Sequence, residues 1–385
     1  MDQAGPLIYS PGMNGDGMDR RTVLSGLGVV GLGMAAGAGA AVTARAGTLL
    51  WRCGTPAGLT TLVPAGGVVC AGILNLGPDT RNGIYAINAT TGKEAWTLWG
   101  GPLPIIAGPG MVYCAGDLEI ADNGMLAVST ADGKKLWSSV LTTPSATPMA
   151  GLYDDGTVYA TVPVGVTIGV AAVSGQTGKE RWFAGNPFSP TSLAVSAGTV
   201  YTGWLTDAEL GTGEVTALDA VTGARRWTTR LSGSPGQLAV TGDVVVGVMS
   251  GVATFALEAS SGKVLWQSRR VPTRALAAGN GVVYTSPGPL AARDARTGRY
   301  LWRQDDGEDQ PGQLILAGET LYAASSNLRV RALSASTGRQ LWSYTLPASG
   351  TSAETGIMAA GSGALYLTLL NPRTGNLSNV YAIKT

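Results

Sequence analysis

The side chains most used in acid–base and metal chemistry are sparse in this sequence. The 385 residues include no histidine, which excludes a histidine general base, a Ser/His/Asp triad and a histidine metal ligand. Carboxylates cluster at residues 305–309 (DDGED) and within residues 117–122. Carboxylates can bind calcium, but neither run has the alternating spacing of an EF-hand loop. We therefore predict no catalytic residue and no metal site, and we interpret both runs as solvated loops.

The three cysteines, Cys53, Cys70 and Cys114, could act as nucleophiles or form a disulfide. Because their number is odd, at least one thiol is free, and three cysteines are too few for disulfides to stabilise a chain of this size. We interpret them as buried structural thiols and leave any pairing among them open.

The charge balance excludes several kinds of partner. The chain has 26 basic and 25 acidic residues and a formal net charge of +1, so no strong basic field attracts nucleic acid. Hydrophobic residues make up 45% of the chain, which is enough to bury a core. A folded protein that does not bind nucleic acid is therefore expected.

Residues 1–46 have the pattern of an export signal with an N-terminal extension. Arg20 and Arg21 precede residues 22–44, which carry no charge, and the segment ends in Ala44-Arg45-Ala46, where small residues flank the arginine. The paired arginines resemble a twin-arginine signal, so we predict an exported protein, extracellular or in the cell envelope. Two alternatives stay open: an uncleaved membrane anchor, and a true start at Met18.

A repeat occupies the rest of the chain. A glycine lies four residues before seven tryptophans, and an alanine lies six residues before each of those glycines, as in ALDAVTGARRW. Eight tryptophans recur at spacings of 36 to 45 residues: Trp51, Trp96, Trp137, Trp182, Trp227, Trp266, Trp302 and Trp342. A unit of this length with one internal spacing indicates a structural repeat.

Each repeat predicts four short antiparallel strands. A glycine-containing turn separates the alanine strand from the tryptophan strand, and a second strand pair follows, as in LAVTGDVVVGV. Four-stranded units with a period near 40 residues are typical of propeller blades.

The two ends of the repeat array are incomplete in complementary ways. Ala382 has no turn or tryptophan after it, and Trp51 is taken to lack the alanine and glycine before it. We predict that the N-terminal strand pairs with the C-terminal strands, because closing the ring removes open sheet edges. Residues 47–385 then form a single all-β, eight-bladed β-propeller of four-stranded antiparallel blades.

The unit resembles the PQQ-like repeat, Ala-x-Asp-x-x-Thr-Gly-x-x-x-Trp, of eight-bladed propellers named after pyrroloquinoline quinone (PQQ). The resemblance covers about residues 47–385 and implies that all eight repeat tryptophans dock one blade on the next. The family includes quinoprotein dehydrogenases and non-enzymatic BamB-like scaffolds. The chain lacks the adjacent cysteine pair and the long insertions of quinoproteins, so we predict no cofactor and favour the non-enzymatic branch.

Two groups of residues are candidates for binding. Trp204 lies outside the repeat position in a mostly polar segment, residues 202–214, and could anchor a partner if exposed. Ser192, Gln237, Arg274, Gln313 and Glu354 are expected to enter the innermost strands around the channel mouth. They could recognise a small polar ligand or line a water-filled channel.

We therefore predict an exported, monomeric, non-catalytic scaffold that binds a protein or peptide of the cell envelope through its variable loop face. The alternative is a PQQ-dependent or other cofactor-binding oxidoreductase that uses the central channel. A sensor or cell-wall interaction module is a third possibility. Contact with a membrane is expected only through an uncleaved signal anchor.

Overall fold

The fold consists of β-strands throughout. The structure is a computed structural model that describes residues 45–385 apart from 57, 74–81, 117–123, 142–149, 165–166, 187, 208, 250–252, 269–272, 274, 287–288, 306, 308–309, 348–353 and 371–376. These residues form 32 strands and no helix. Accordingly, none of the described chain forms a helix able to cross a membrane. The predicted export signal falls almost wholly outside the described residues, as does most of both acidic runs.

The strands group into eight antiparallel blades, of which the first four follow in chain order. Blade 1 contains β2 (Leu59–Ala65), β3 (Val68–Ile73), β4 (Gly83–Asn88) and β5 (Glu94–Trp99). Blade 2 contains β6 (Leu103–Gly108), β7 (Met111–Ala115), β8 (Met125–Ser129) and β9 (Lys135–Ser139). Blade 3 contains β10 (Ala150–Asp154), β11 (Thr157–Val164), β12 (Thr167–Ser174) and β13 (Glu180–Asn186). Blade 4 contains β14 (Ser189–Ser196), β15 (Thr199–Asp207), β16 (Thr212–Asp219) and β17 (Arg225–Leu231).

The remaining blades include the one that joins the two ends of the described chain. Blade 5 contains β18 (Pro235–Thr241), β19 (Val244–Met249), β20 (Ala253–Glu258) and β21 (Val264–Gln267). Blade 6 contains β22 (Ala275–Gly279), β23 (Val282–Ser286), β24 (Leu290–Asp294) and β25 (Tyr300–Gln304). Blade 7 contains β26 (Pro311–Ala317), β27 (Thr320–Ser325), β28 (Arg329–Ser334) and β29 (Gln340–Thr345). Blade 8 contains β30 (Glu354–Gly361), β31 (Ala364–Leu370), β32 (Leu377–Lys384) and, as its outer strand, β1 (Leu49–Cys53).

The first strand of each blade contacts the first strands of its two neighbours around the ring. These innermost strands therefore surround the central axis, and the fourth strands form the outer rim. This arrangement confirms the predicted all-β, eight-bladed propeller.

The repeated spacing corresponds to one strand register. In every blade the repeat alanine on the third strand lies opposite the repeat tryptophan on the fourth, from Ala86 with Trp96 to Ala332 with Trp342. The eighth pair, Ala382 with Trp51, forms between β32 and β1. The N-terminal strand thus completes the C-terminal blade, as predicted.

Each repeat tryptophan packs on the glycine turn of the next blade. The indole Nε1 donates a hydrogen bond of 2.8–3.0 Å to a backbone carbonyl of that turn at Trp51, Trp96, Trp137, Trp182, Trp227, Trp266 and Trp302. The ring covers the turn glycine so closely that a Cβ at Gly92 would lie 2.7 Å from the ring of Trp51. Glycine is required there for its positive φ, +70°, and for its lack of a side chain.

The ring-closing blade has the same contact, although its turn is not continuous. Gly47 lies four residues before Trp51, has a φ of +80°, and would place a Cβ 2.9 Å from the ring of Trp342. Its amide donates to the carbonyl of Lys384 at 2.8 Å, as the amide of Gly92 does to Asn88 at 2.9 Å. The expectation that Trp51 lacks a preceding glycine is therefore wrong. Gly47 is that glycine, and the matching alanine is at the far end of the sequence.

Candidate functional site

Two residues predicted to ring the channel mouth connect neighbouring blades instead. The Gln237 amide donates to the carbonyl of Leu276 at 3.0 Å and accepts from the amide of the same residue at 3.0 Å. Gln313 donates to the carbonyl of Gly356 and accepts from the amide of Met358 at 2.9 Å. Both side-chain amides thus form hydrogen bonds with the backbone of the innermost strand of the next blade. This geometry does not agree with a role as free ligand-recognition groups.

Of the other three channel candidates, the structure describes the side chain of Ser192 only. The hydroxyl of Ser192 is buried and has no hydrogen-bond partner among the described residues. Arg274 lies outside the described residues, and the structure describes only the backbone of Glu354, at the start of β30. A role for Arg274 and Glu354 at the channel mouth therefore stays a prediction.

The innermost strands offer few groups that could hold a polar cofactor. The sequences of the eight first strands contain two carboxylates, Asp154 and Glu354, and no lysine or arginine. The described residues include no group of three His, Cys, Asp or Glu side chains that could bind a metal ion. A quinone cofactor needs several convergent polar groups in one pocket, and the described part of these strands does not fit it.

The three thiols are buried within the blades. Cys53, Cys70 and Cys114 are free, and Cys70 and Cys114 belong to one hydrophobic cluster between blades 1 and 2. Burial raises the pKa of all three thiols above the ordinary value, because it disfavours the thiolate. Desolvation is the largest effect on each thiol, and it opposes formation of the nucleophilic thiolate.

Trp204 lies in a strand and not in a polar loop. It is only 2% exposed and packs with Tyr159 and Leu218 in the cluster between blades 3 and 4. The expectation that Trp204 is an exposed anchor in a loop is wrong, because β15 continues through Asp207 and pairs Trp204 with Glu214. The indole Nε1 is buried without a hydrogen-bond partner among the described residues. This side chain supports the segment that follows it.

That segment is a hairpin that rises from blade 4. Its strands β15 and β16 have nine and eight residues, whereas the corresponding strands of blades 5, 6 and 7 have five or six. At about 3.3 Å per residue, the hairpin extends roughly 7–13 Å further than the corresponding hairpins of blades 5, 6 and 7. Leu210 lies at the tip, 74% exposed.

Hydrogen bonds connect Asp207 to the residues of the tip. The Asp207 carboxylate accepts the amides of Glu209 at 2.9 Å and Leu210 at 2.8 Å. Gly211 follows with a φ of +63°, which closes the turn. An exposed leucine is thus presented on an ordered turn beside two carboxylates.

The base of the hairpin is packed tightly against blade 5. A Cβ at Gly213 would lie 2.3 Å from Cδ of Pro235, and one at Gly203 would lie 3.0 Å from its Cγ. Only glycine allows the proline this approach from the first strand of blade 5. The direction of the hairpin is therefore set by the blade interface.

The opposite end of the same blade carries the repeat turn. The Asp219 carboxylate accepts the amides of Val221 at 3.0 Å and Thr222 at 2.8 Å, and it pairs with Arg226 at 2.7 Å. The Arg226 guanidinium and these hydrogen bonds lower the pKa of Asp219. Val221 is 78% exposed there. The turn that contains Val221 recurs in the other blades. Val221 is therefore a suitable control for Leu210, which is similarly exposed on the opposite face.

Sequence reasoning selected this segment but not Leu210. The sequence did contain a signal for this turn: Asp207 is followed by Leu210 and Gly211. An aspartate whose side chain accepts the backbone amides two and three residues later, with a glycine after them, is typical of a tight turn. A leucine at the tip of such a turn has no core to enter.

The fold and the repeat define the class of this protein: an eight-bladed β-propeller of PQQ-like repeats with tryptophan-docked blades. The family model described as "Outer membrane protein assembly factor BamB" matches residues 37–185, 169–280 and 272–385. The chain therefore belongs to the BamB family of PQQ-like propellers.

Relatives with similar sequences have different overall lengths. BamB of Burkholderia pseudomallei is 30% identical over 242 residues, which cover 58% of this chain and 60% of that protein. The serine/threonine-protein kinase AfsK of Streptomyces coelicolor is 37% identical over 143 residues, 34% of this chain and 17% of the kinase. The chain thus spans less than two thirds of the length of either relative.

Solved structures share the architecture at low identity. BamB from Moraxella catarrhalis has a TM-score of 0.60 at 16% identity, over 87% of this chain and 99% of that one. The quinohemoprotein alcohol dehydrogenase ADHIIG from Pseudomonas putida also has a TM-score of 0.60 at 16% identity, over 88% of this chain and 76% of the enzyme. At such identity the likeness shows the fold alone.

Proposed function

We propose that this chain is an exported, non-catalytic scaffold that binds a protein or peptide through the face formed by its second-to-third strand loops. The β15–β16 hairpin, with Leu210 at its tip, is the part of that face to which we assign binding. Membership of the BamB family supports a scaffold role in the cell envelope. Export through the paired arginines Arg20 and Arg21 is part of the same proposal.

The observation that carries the proposal is the combination of exposure and order at Leu210. An apolar side chain that is largely exposed lacks a partner within its own blade. The Asp207 hydrogen bonds already hold its turn in place, so binding would require little further ordering. Residues of this kind are typical anchors of protein contacts.

The chemistry of the tip also describes the partner. Leu210 would enter an apolar pocket, while the carboxylates of Asp207 and Glu209 beside it favour basic groups at the rim of that pocket. A partner with an apolar cleft bordered by lysine or arginine fits this surface. The described innermost strands lack a comparable set of free polar groups, and for that reason we do not adopt the oxidoreductase alternative.

Site-specific photo-crosslinking in the native host tests the proposal. A benzophenone amino acid at position 210 should give a discrete adduct, whereas the same group at position 221, equally exposed on the opposite face, should give none. Mass spectrometry of the adduct then identifies the partner.

Affinity measurements with that partner complete the test. Burying the exposed part of a leucine contributes about 1–2 kcal/mol, so Leu210→Ser should weaken binding roughly tenfold or more. Val221→Ser should leave the affinity unchanged. The same adducts at both positions, or equal affinities of the two variants, would refute the assignment of this face.

A further inference from the structure

The outer rim of the propeller is apolar over three consecutive blades. Tyr300 and Leu301 on blade 6, Leu341 on blade 7, and Leu49 and Leu50 on blade 8 are each between 38% and 49% exposed. We refer to these five residues as the apolar rim. They lie on the fourth strands β25, β29 and β1, so they face outward from the ring and not toward the channel.

The charges within the outer strands of this rim are basic, and Asp305 follows β25 at the end of the strand away from Tyr300 and Leu301. Strands β25, β29 and β1 contain no acidic residue, and Arg303 and Arg52 lie within them. Arg299 and Arg339 directly precede β25 and β29. Exposed apolar side chains interleaved with arginines match a surface that offers both hydrocarbon and negative charge.

Other blades differ at the same strand positions. The residue before the tryptophan is leucine in the apolar rim but arginine on blades 3 and 4, Arg181 and Arg226. The outer strands of blades 1 and 3 begin with glutamates, Glu94 and Glu180. Leucine also precedes the tryptophan on blades 2 and 5, at Leu136 and Leu265, so the feature of blades 6 to 8 is a run of consecutive outer strands that carry leucine and no acidic residue.

The N-terminal segment joins the propeller in the middle of the apolar rim. Gly47 packs on Trp342 of blade 7, and Leu49 and Leu50 follow it at the edge of blade 8. The preceding residues 22–44 contain no charged side chain. Because a residue spans at most about 3.6 Å, a bilayer that held this segment would be within reach of Leu49 and Leu50.

We propose that the apolar rim lies on an anionic lipid surface. The leucines and Tyr300 insert among the headgroups and the upper acyl chains, and the flanking arginines contact the negative headgroups. The rim would then orient the propeller edge-on to the membrane, with both loop faces free.

Fluorophore labelling of the full chain tests this orientation. Leu301→Cys and Leu341→Cys are labelled with an environment-sensitive dye, and Leu136→Cys is the control because Leu136 is 52% exposed at the same strand position on blade 2. The unsubstituted chain, labelled in parallel, gives the background from the buried native thiols. Vesicles of phosphatidylglycerol and phosphatidylcholine in equal parts should shift the emission of both rim labels to the blue, and nitroxide lipids should quench them. The label at position 136 should not respond.

Vesicle partitioning provides the second readout. Leu301→Ser/Leu341→Ser in the full chain should weaken partitioning to the same vesicles roughly tenfold, since two leucines no longer insert. Leu136→Ser should not change it. Equal responses of all three labels, a response at none of them, or unchanged partitioning of the double variant would each overturn the proposal, because the N-terminal segment alone would then account for any binding.

Discussion

Replacing Gly47 by alanine tests the ring closure more directly than any other single change. Gly47 has a φ of +80° and would place a Cβ 2.9 Å from the Trp342 ring. Gly281 provides the matched control, since its φ is +74° and nothing lies within 4 Å of its Cβ position. Gly47→Ala should therefore destabilise the protein more than Gly281→Ala does.

The magnitude follows from separating two costs. Both variants place an alanine in the left-handed region, which costs about 1–2 kcal/mol. Only Gly47→Ala also forces the Trp342 indole away from its position, and such overpacking costs about 1–3 kcal/mol more. Gly92→Ala, whose Cβ would meet Trp51 at 2.7 Å in a continuous turn, should resemble Gly47→Ala.

Guanidinium unfolding of the full chain, monitored by tryptophan fluorescence and far-UV circular dichroism, gives the free energy of unfolding of each variant. The comparison requires that the dependence on denaturant concentration, the m-value, is the same for all variants. If Gly47→Ala and Gly281→Ala differ by less than about 0.5 kcal/mol, the overpacking argument fails. In that case Gly47 does not lie on Trp342, and the eighth blade is not closed as described.

Three further predictions concern the blades themselves. Gln313→Ala should destabilise the protein by about 1–3 kcal/mol in guanidinium unfolding, because two backbone groups of the neighbouring blade lose their partner; no loss would contradict the inter-blade role. Arg226→Ala should raise the pKa of Asp219 toward the ordinary 3.8 in a carboxyl NMR titration. The stability linked to this lowered pKa is present above the pKa of Asp219 in the unfolded chain and is lost as the pH falls through its pKa in the folded protein. The stability difference between wild type and variant should therefore decrease in acid to what the hydrogen bond from Arg226 to Thr199 contributes. Cys70 and Cys114 should not react with Ellman's reagent in the native protein at pH 8 and should react fully in guanidinium, because burial raises their thiol pKa values.

The repeat made most of the fold predictable from sequence. The invariant spacing of alanine, glycine and tryptophan reflects a strand register that recurs in every blade, so counting tryptophans was equivalent to counting blades. Gly47 was missed because its alanine, Ala382, lies at the other end of the sequence. A search that requires all motif members to be contiguous does not find a repeat that is formed by two distant segments.

The candidate site was less predictable, because burial depends on how far a strand continues. The segment around Trp204 is polar, which suggested a loop, yet pairing with β16 carries the strand past the tryptophan and buries it between blades. Gln237 and Gln313 were correctly placed on innermost strands. Their side-chain amides bind the backbone of the next blade, and no local sequence pattern predicts such a contact between units.

The pairing of β1 with β32 also determines the order in which the molecule can be assembled. Arg52 and Asn379, joined by hydrogen bonds of 3.2 and 3.1 Å, are 327 residues apart in the chain. During synthesis β1 is made long before β32 and has no partner in its blade until β32 has left the ribosome. The seven complete blades can form locally, one after another, while the circle stays open and β1 is available to foreign strands. Final closure of the ring is thus a single late step that carries the loop-entropy cost of joining two distant segments.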